Sequence, residues 1–228
     1  MHQNITSRVR AVQQAIDVAS LKATNRSGPV TLIAVSKMQS QATIEEAYGI
    51  GLRHFGENYA QELAQKAAGC PKDIVWHFIG PIQTNKLKLI AESASWVHSL
   101  DRAKVAKKLD EACKDLNKEI SVLIQVNVDD EVSKSGVRSE EMIDFASELN
   151  THYSSLKLKG LMFMPNIHAS DQEKLKTYAR IQDLQSSLQE ILPDCTELSL
   201  GTSGDFEEAI IAGSSMVRIG EMLLGART

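Results

Sequence analysis

Cysteine is scarce in this chain of 228 residues: Cys70, Cys113 and Cys195 are three, odd in number and far apart. That pattern argues against a disulfide framework and against a zinc motif, and reduced thiols in a cytoplasmic protein are the expectation. An excess of either charge is also missing. A net charge of -4 leaves no basic footprint, so a nucleic-acid role has no electrostatic support. No apolar run approaches the length that spans a membrane. Residues 1–10 are polar and lack the apolar core of a secretion signal. No linker, repeat or low-complexity segment divides the chain. What is present is ordinary for a soluble globular protein, with 43% hydrophobic and 24% charged residues. The length suits α/β barrels that fold as a single unit, so residues 1–228 are expected to form one domain.

Strand and helix signals alternate along the chain almost without interruption. Apolar positions at helical spacing in residues 3–23 predict an opening helix. Strands are then predicted at 30–36, 53–57, 74–80, 96–100, 120–128, 156–163, 196–200 and 215–220. Helices are predicted between them at 42–51, 59–68, 84–91, 101–117, 139–150, 171–191 and 206–212. Asn58, Thr84 or Asn85, and Asp101 stand where helix caps are expected. Residues 129–138 read as a long polar loop, and Gly160 within its strand reads as a point of close backbone approach. Eight strands separated by helices predict an α/β fold, a (β/α)8 TIM barrel with an additional N-terminal helix. A doubly wound open sheet is the competitor, and the even spacing favours the barrel.

The first strand is a β-branched apolar run, Val30-Thr31-Leu32-Ile33-Ala34-Val35-Ser36, that stops on Lys37. A lysine with its stem in the core and its amine at the mouth of the fold loses solvation as an ammonium, which lowers its pKa and suits Schiff-base chemistry. The plain alternative is the first solvated residue after a strand. In a barrel the other strand ends are informative for the same reason. They hold Glu57 and Asn58, His77 and Gly80, Asp129, Met162 and Met164, Gly201 to Ser203, and Arg218 with Gly220. Small residues and two hydroxyls in Gly201-Thr202-Ser203-Gly204, opposite Arg218-Ile219-Gly220, form two walls where barrels hold phosphate. Each has a duller reading: turn glycines, an interior hydrogen-bonded His77, Glu57 paired with a basic neighbour, methionines in the core. Arg218 in an apolar strand is harder to dismiss, because an unpartnered buried guanidinium is expensive.

Ala34-Val35-Ser36-Lys37, His54-Phe55-Gly56-Glu57-Asn58-Tyr59 and Trp76-His77-Phe78-Ile79-Gly80 together resemble the pyridoxal phosphate homeostasis family. So do Ser133-Lys134-Ser135-Gly136, Gly160-Leu161-Met162 and Met216-Val217-Arg218-Ile219-Gly220, and the likeness runs to Gly225-Ala226-Arg227. The resemblance implies a barrel like the N-terminal domain of alanine racemase, with pyridoxal 5′-phosphate bound as an aldimine on Lys37. It further implies that Ser203 and Gly220 hold the phosphate, that Arg218 faces the pyridine nitrogen, and that Asn58 and Met162 lie at the cofactor.

Three departures from the family pattern stand out. Met38-Gln39-Ser40 replaces the usual Thr-Lys-Pro after the lysine, an expected loosening of that loop. Thr202 replaces a methionine and offers a replacement hydroxyl. Glu221 replaces a phosphate-binding Thr or Ser, where a carboxylate turned inward would repel the dianion. An arginine at the pyridine nitrogen keeps that nitrogen unprotonated and weakens the ring as an electron sink. The resemblance covers the racemase's barrel, so its second domain and tyrosine base are not expected here. Storage or delivery of the cofactor to pyridoxal-phosphate-dependent apo-enzymes, by a monomer without a catalytic step, is the reading that follows. An amino-acid racemase-like enzyme and a Schiff-base barrel aldolase are the alternatives.

Overall fold

The computed structural model describes residues 4–23, 28–129, 135–166 and 169–226. All eight expected strands are present and parallel. They are β1 (Thr31–Val35), β2 (His54–Glu57), β3 (Val75–Phe78), β4 (Trp96–Leu100), β5 (Ile120–Asn127), β7 (Leu156–Phe163), β8 (Glu197–Ser199) and β9 (Met216–Ile219). The sheet runs β4-β3-β2-β1-β9-β8-β7-β5, and β4 also pairs with β5, which closes the ring. A two-residue strand, β6 (Val137–Arg138), branches from the end of β5 through Val126↔Val137. Residues 137 and 138 therefore leave the expected loop; two residues carry no periodicity from which a strand could be read.

Alternation along each strand sorts side chains between two interiors. Ile33, Leu123, Met162 and Met216 come from β1, β5, β7 and β9 and meet one another, with Trp96 of β4 against them. Residues from strands on all sides of the ring can converge only inside it. The larger core, including Phe55, Val97, Val122 and Leu161, lies between the ring and its helices. Gly160 sits where the β5–β7 register shifts between Val122 and Leu123, with φ +151. A Cβ there would lie 1.8 Å from the Glu197 carbonyl oxygen, so the close approach expected at this glycine is real.

The outer helices are α2 (Gln41–Gly49), α3 (Ala60–Gly69), α4 (Leu87–Ser93), α5 (Ala103–Asp115), α6 (Met142–His152), α7 (Asp171–Ile191) and α8 (Phe206–Ile211). After β9 the described chain has only the four-residue α9 (Glu221–Leu224), not expected from the sequence. The opening helix, α1 (Ile5–Lys22), fills the vacant eighth place. It packs on α8, α9 and α2, buries Ile5, Val9, Val12, Ile16 and Ala19, and ties down α9 through Arg8 Nε to Leu223 O at 3.0 Å. Asn4 caps it, accepting from Ser7 N.

Several expected caps are not caps. Tyr59 occupies the cap position of α3, Lys86 that of α4 and Arg102 that of α5, each without a side-chain cap bond. Thr84 and Asn85 instead form a 3-10 turn with Lys86. Asp101 binds the Arg102 side chain at 2.9 Å. Asn58 is left for the barrel mouth. Among the described residues no helix is long and apolar enough to cross a membrane.

Candidate functional site

A cavity of about 770 Å³ opens at the carboxyl end of the strands. Asn58 follows β2, Ser99 lies on β4, Gln125 and Asn127 on β5, and Met164 follows β7; Thr202 follows β8 and Arg218 lies on β9, and all line it. Strand ends converge there because parallel closure points every carboxyl terminus the same way. The Oδ1 of Asn58 is buried and meets no donor among the described residues, and the residue lines the cavity. Gly80 lets this strand end come close: a Cβ on it would lie 2.1 Å from Asn58 O.

Arg218 is a buried charge on the cavity wall. Its Cα is level with Ile33 of the inner cluster, and only 5% of the residue is exposed. Nη1 donates to Ser199 Oγ at 2.5 Å and Nη2 to Phe163 O at 3.0 Å. Burial pulls its pKa down to about 10, opposed by the charge of Asp205, so the group is a cation at neutral pH. A guanidinium carries five N–H donors, and two protein acceptors do not exhaust them. The structure thus gives the arginine protein partners while keeping it on the cavity wall.

Lys37 lies, half-buried, in the turn that leaves β1. Gln39 N donates to Ser36 O at 3.0 Å, so Lys37 and Met38 are the two central residues of that turn. Met38 has φ 58, a left-handed conformation that a methionine adopts only when held. The holding groups come from α3. Glu62 Oε1 accepts from Met38 N at 2.6 Å, and Lys66 Nζ donates to Ser36 O at 2.6 Å. Lys66 also binds Glu62 at 2.6 Å and the fully buried Glu57 at 2.8 Å, which in turn accepts from Ser36 Oγ at 2.6 Å. The loop with Met38-Gln39-Ser40 is therefore pinned on both sides of Lys37 rather than loosened. Gln39 adds a tie to Gly225 O at 3.0 Å.

The remaining expected residues divide. Met162 is sealed in the inner cluster at 0% exposure, and Met164, two residues on, reaches the cavity in its place. Thr202 lines the cavity, but its hydroxyl donates to Asp205 Oδ1 at 3.0 Å, and its N–H to the same oxygen at 2.7 Å. That hydroxyl proton is engaged, so the replacement donor expected at Thr202 is not free for a phosphate. Ser203 follows it, half-exposed, and Gly220 packs beside Val35 of β1. Glu221 opens α9 with its side chain exposed to solvent. Ser203, Gly220, Glu221 and Lys37 lie outside the wall that Asn58, Thr202 and Arg218 share. Of the Ser133-Lys134-Ser135-Gly136 segment, Ser133 and Lys134 lie outside the described residues; Ser135 lines the cavity.

Sequence reasoning missed the supporting residues: Ser199 and His98 behind Arg218, Glu62 and Lys66 behind Lys37, and Asp205 behind Thr202. A signal existed for His98. His54, His77 and His98 stand on three successive strands, and strand parity puts all three on one face.

Residues 10–228 match the family described as alanine racemase, N-terminal domain. A pyridoxal phosphate homeostasis protein of Vibrio alginolyticus is 41% identical over 230 residues, covering 99% of this chain and 95% of that protein. Its counterpart in Escherichia coli K12 is 36% identical over 98% of this chain and 97% of the relative. The solved structure of PipY from Synechococcus elongatus PCC7942 with PLP bound superposes with a TM-score of 0.82 at 30% identity, over 97% of this chain and all of that one. The Vibrio and Escherichia relatives are named for homeostasis rather than for a reaction. On this similarity, near full length and carried by the barrel just described, the chain belongs to the pyridoxal phosphate homeostasis protein family and is built on the alanine racemase N-terminal domain.

Proposed function

We propose that this chain binds pyridoxal 5′-phosphate at the mouth of its barrel, carries it on the amine of Lys37, and holds it for delivery to cofactor-dependent apo-enzymes without turning over a substrate of its own. The observation that carries this reading is Arg218, a buried cation with protein partners on two donors and a place on the cavity wall. A guanidinium there suits a pyridine nitrogen that accepts a hydrogen bond and is not protonated. Asn58, on the same cavity wall, has a side-chain acceptor without a donor among the described residues, which suits a ring bearing a hydroxyl. Ser203 and the backbone at Gly220 and Glu221 stand as the phosphate holders, with the Glu221 carboxylate in solvent. When bound, the cofactor supplies an aldehyde that a lysine amine can capture covalently. An arginine partner leaves the ring a weak electron sink, which suits custody better than carbanion chemistry.

Borohydride reduction of protein loaded with pyridoxal phosphate, followed by peptide mapping, tests this directly. The expected result is a loaded protein that is yellow before reduction and bleached by it, with a reduced adduct that maps to Lys37 and is lost in Lys37→Ala. A loaded protein that is colourless before reduction, or an adduct at another lysine, overturns the attachment. Exchange of an amino acid's α-proton with deuterated solvent, at a rate that disappears with Lys37, would overturn custody in favour of an enzyme.

A further inference from the structure

Behind Arg218 a line of polar side chains crosses the inside of the barrel. Ser199 Oγ, which accepts from Arg218, lies 2.9 Å from His98 Nδ1. His98 Nε2 lies 2.8 Å from His77 Nδ1, and His77 Nε2 lies 2.9 Å from His54 Nδ1. His77, His98 and Ser199 are fully buried, while His54, at the first residue of β2, is half-exposed. Trp96 stacks on His77 with an interplanar angle of 15°. Each link between rings joins a δ nitrogen to an ε nitrogen, and His77 and His98 are used at both ends. The rings bond in file, and among the described residues no group of three or more His, Cys, Asp or Glu could hold a metal.

Hydrogen counting makes the line directional. A neutral imidazole has one N–H and one bare nitrogen, and a guanidinium can only donate. Burial and neighbouring charges lower the pKa of His77 and His98 well below the usual value, which keeps both neutral. Two fillings are then self-consistent. In one, every histidine is Nδ1–H and Ser199 accepts from both sides, which strands its own buried proton without an acceptor. In the other, Ser199 donates to His98, His98 to His77 and His77 to His54, every ring being Nε2–H. Only the second satisfies the buried hydroxyl. It also turns the negative end of each dipole toward the Arg218 cation, which the low-dielectric interior rewards.

We propose that Ser199, His98, His77 and His54 are positioning residues for Arg218, a single-tautomer relay that holds the guanidinium charged and fixed in direction at the cavity wall. A ring held at Arg218 rests on the function proposed above; the relay does not. The polar line occupies ground that an apolar inner layer could fill, as it does at Ile33, Leu123, Met162 and Met216. Its far end emerges at His54, on the amino-terminal side of the ring.

Nitrogen-15 NMR of the imidazoles in cofactor-free wild-type protein at neutral pH tests the relay without the cofactor. The expected spectrum has His77 and His98 wholly Nε2–H; Nδ1–H or mixed tautomers at either ring overturn it. Loaded protein then tests the consequence. Ser199→Ala should weaken cofactor binding roughly tenfold, the loss expected for one hydrogen bond on a charged group, and shift the visible band of bound cofactor. Ser199→Thr, which keeps the hydroxyl, should restore both. An unshifted band and unchanged affinity in Ser199→Ala overturn the positioning role. If wild-type protein takes up no cofactor, the proposed function fails while the tautomer measurement still decides the relay.

Discussion

The Lys66 ammonium donates to the carbonyl oxygen of Ser36 at 2.6 Å, on the residue immediately before Lys37. The same ammonium neutralises Glu57, whose other oxygen is buried with no donor among the described residues. Removing one member of a buried pair leaves an uncompensated charge and costs about 3–5 kcal/mol. Lys66→Met is therefore expected to lower stability by about that amount at pH 7. Burial already raises the Glu57 pKa, with Lys66 and Ser36 opposing, so without Lys66 the carboxyl takes up a proton and the loss shrinks toward pH 5. Lys66→Met with Glu57→Gln should recover most of it. Urea unfolding of the three proteins at both pH values checks this, and equal losses in the single and double variants would sink the account.

His77 and His98 set an acid limit. Their folded pKa values lie well below 6.5, through burial first, then the neighbouring histidines for His77 and Arg218 for His98. Below pH 6.5 the unfolded chain therefore binds protons that the folded chain refuses. Stability is whole above pH 6.5 and is lost as pH falls below it, approaching about 1.4 kcal/mol per pH unit for each ring. Glu57, whose folded pKa is raised, acts in the opposite sense, lending stability as pH falls toward its unfolded value. Urea titrations from pH 7.5 to 5 should show a net decline, reduced in His77→Gln. A profile that rises steadily toward pH 5 would show the two histidines charging inside the fold.

Arg218→Lys keeps the charge and loses the fork. An ammonium cannot hold Ser199, Phe163 O and a ligand in fixed directions together. With about 1.5–3 kcal/mol for a hydrogen bond to a charged group, cofactor affinity should fall roughly tenfold to a hundredfold. A spectroscopic titration with pyridoxal phosphate measures it, and unaltered affinity would remove Arg218 from the site.

The fold was legible because each strand is a short apolar run between helical patterns, and Lys37 and Arg218 stood out because they interrupt such runs. The caps at Asn58 and Asp101 misled because residue type signals a cap only where the chain is free to place it. Asn58 lies at the mouth, where its backbone comes close to Gly80, and Asp101 is taken by Arg102. Met162 was assigned to the cofactor by resemblance, yet strand parity alone puts it with Ile33 and Leu123. Glu62 and Lys66 were invisible for another reason. On an amphipathic helix they read as a solvated i,i+4 pair, and only the packing of α3 on the β1 turn makes them partners of Ser36 and Met38.

Gly160→Ala tests the bulge that shapes the β7–β8 side of the barrel. The added Cβ would overlap the Glu197 carbonyl, and φ +151 is unfavourable for any L side chain. Backbone on both sides leaves nothing flexible to move, so a loss of about 3 kcal/mol, at the upper end of overpacking effects, is expected. Thermal unfolding decides it, and a change under about 0.5 kcal/mol would contradict the register described here.

Glu221 is where charge and backbone can be separated. Its side chain is exposed at the first position of α9, and its N–H is one of the groups a short helix leaves without an intrahelical partner. If the backbone serves the phosphate and the carboxylate stays in solvent, Glu221→Gln should change cofactor affinity less than about threefold, since an exposed charge is well screened. Glu221→Pro should act differently. Proline suits a first helical position, so α9 should survive, but the donor is gone. Cofactor affinity should then fall roughly tenfold with little change in melting temperature. The reverse pattern, a large gain in Glu221→Gln and no effect of Glu221→Pro, would mean that the carboxylate turns inward and weakens the hold this site has on its phosphate.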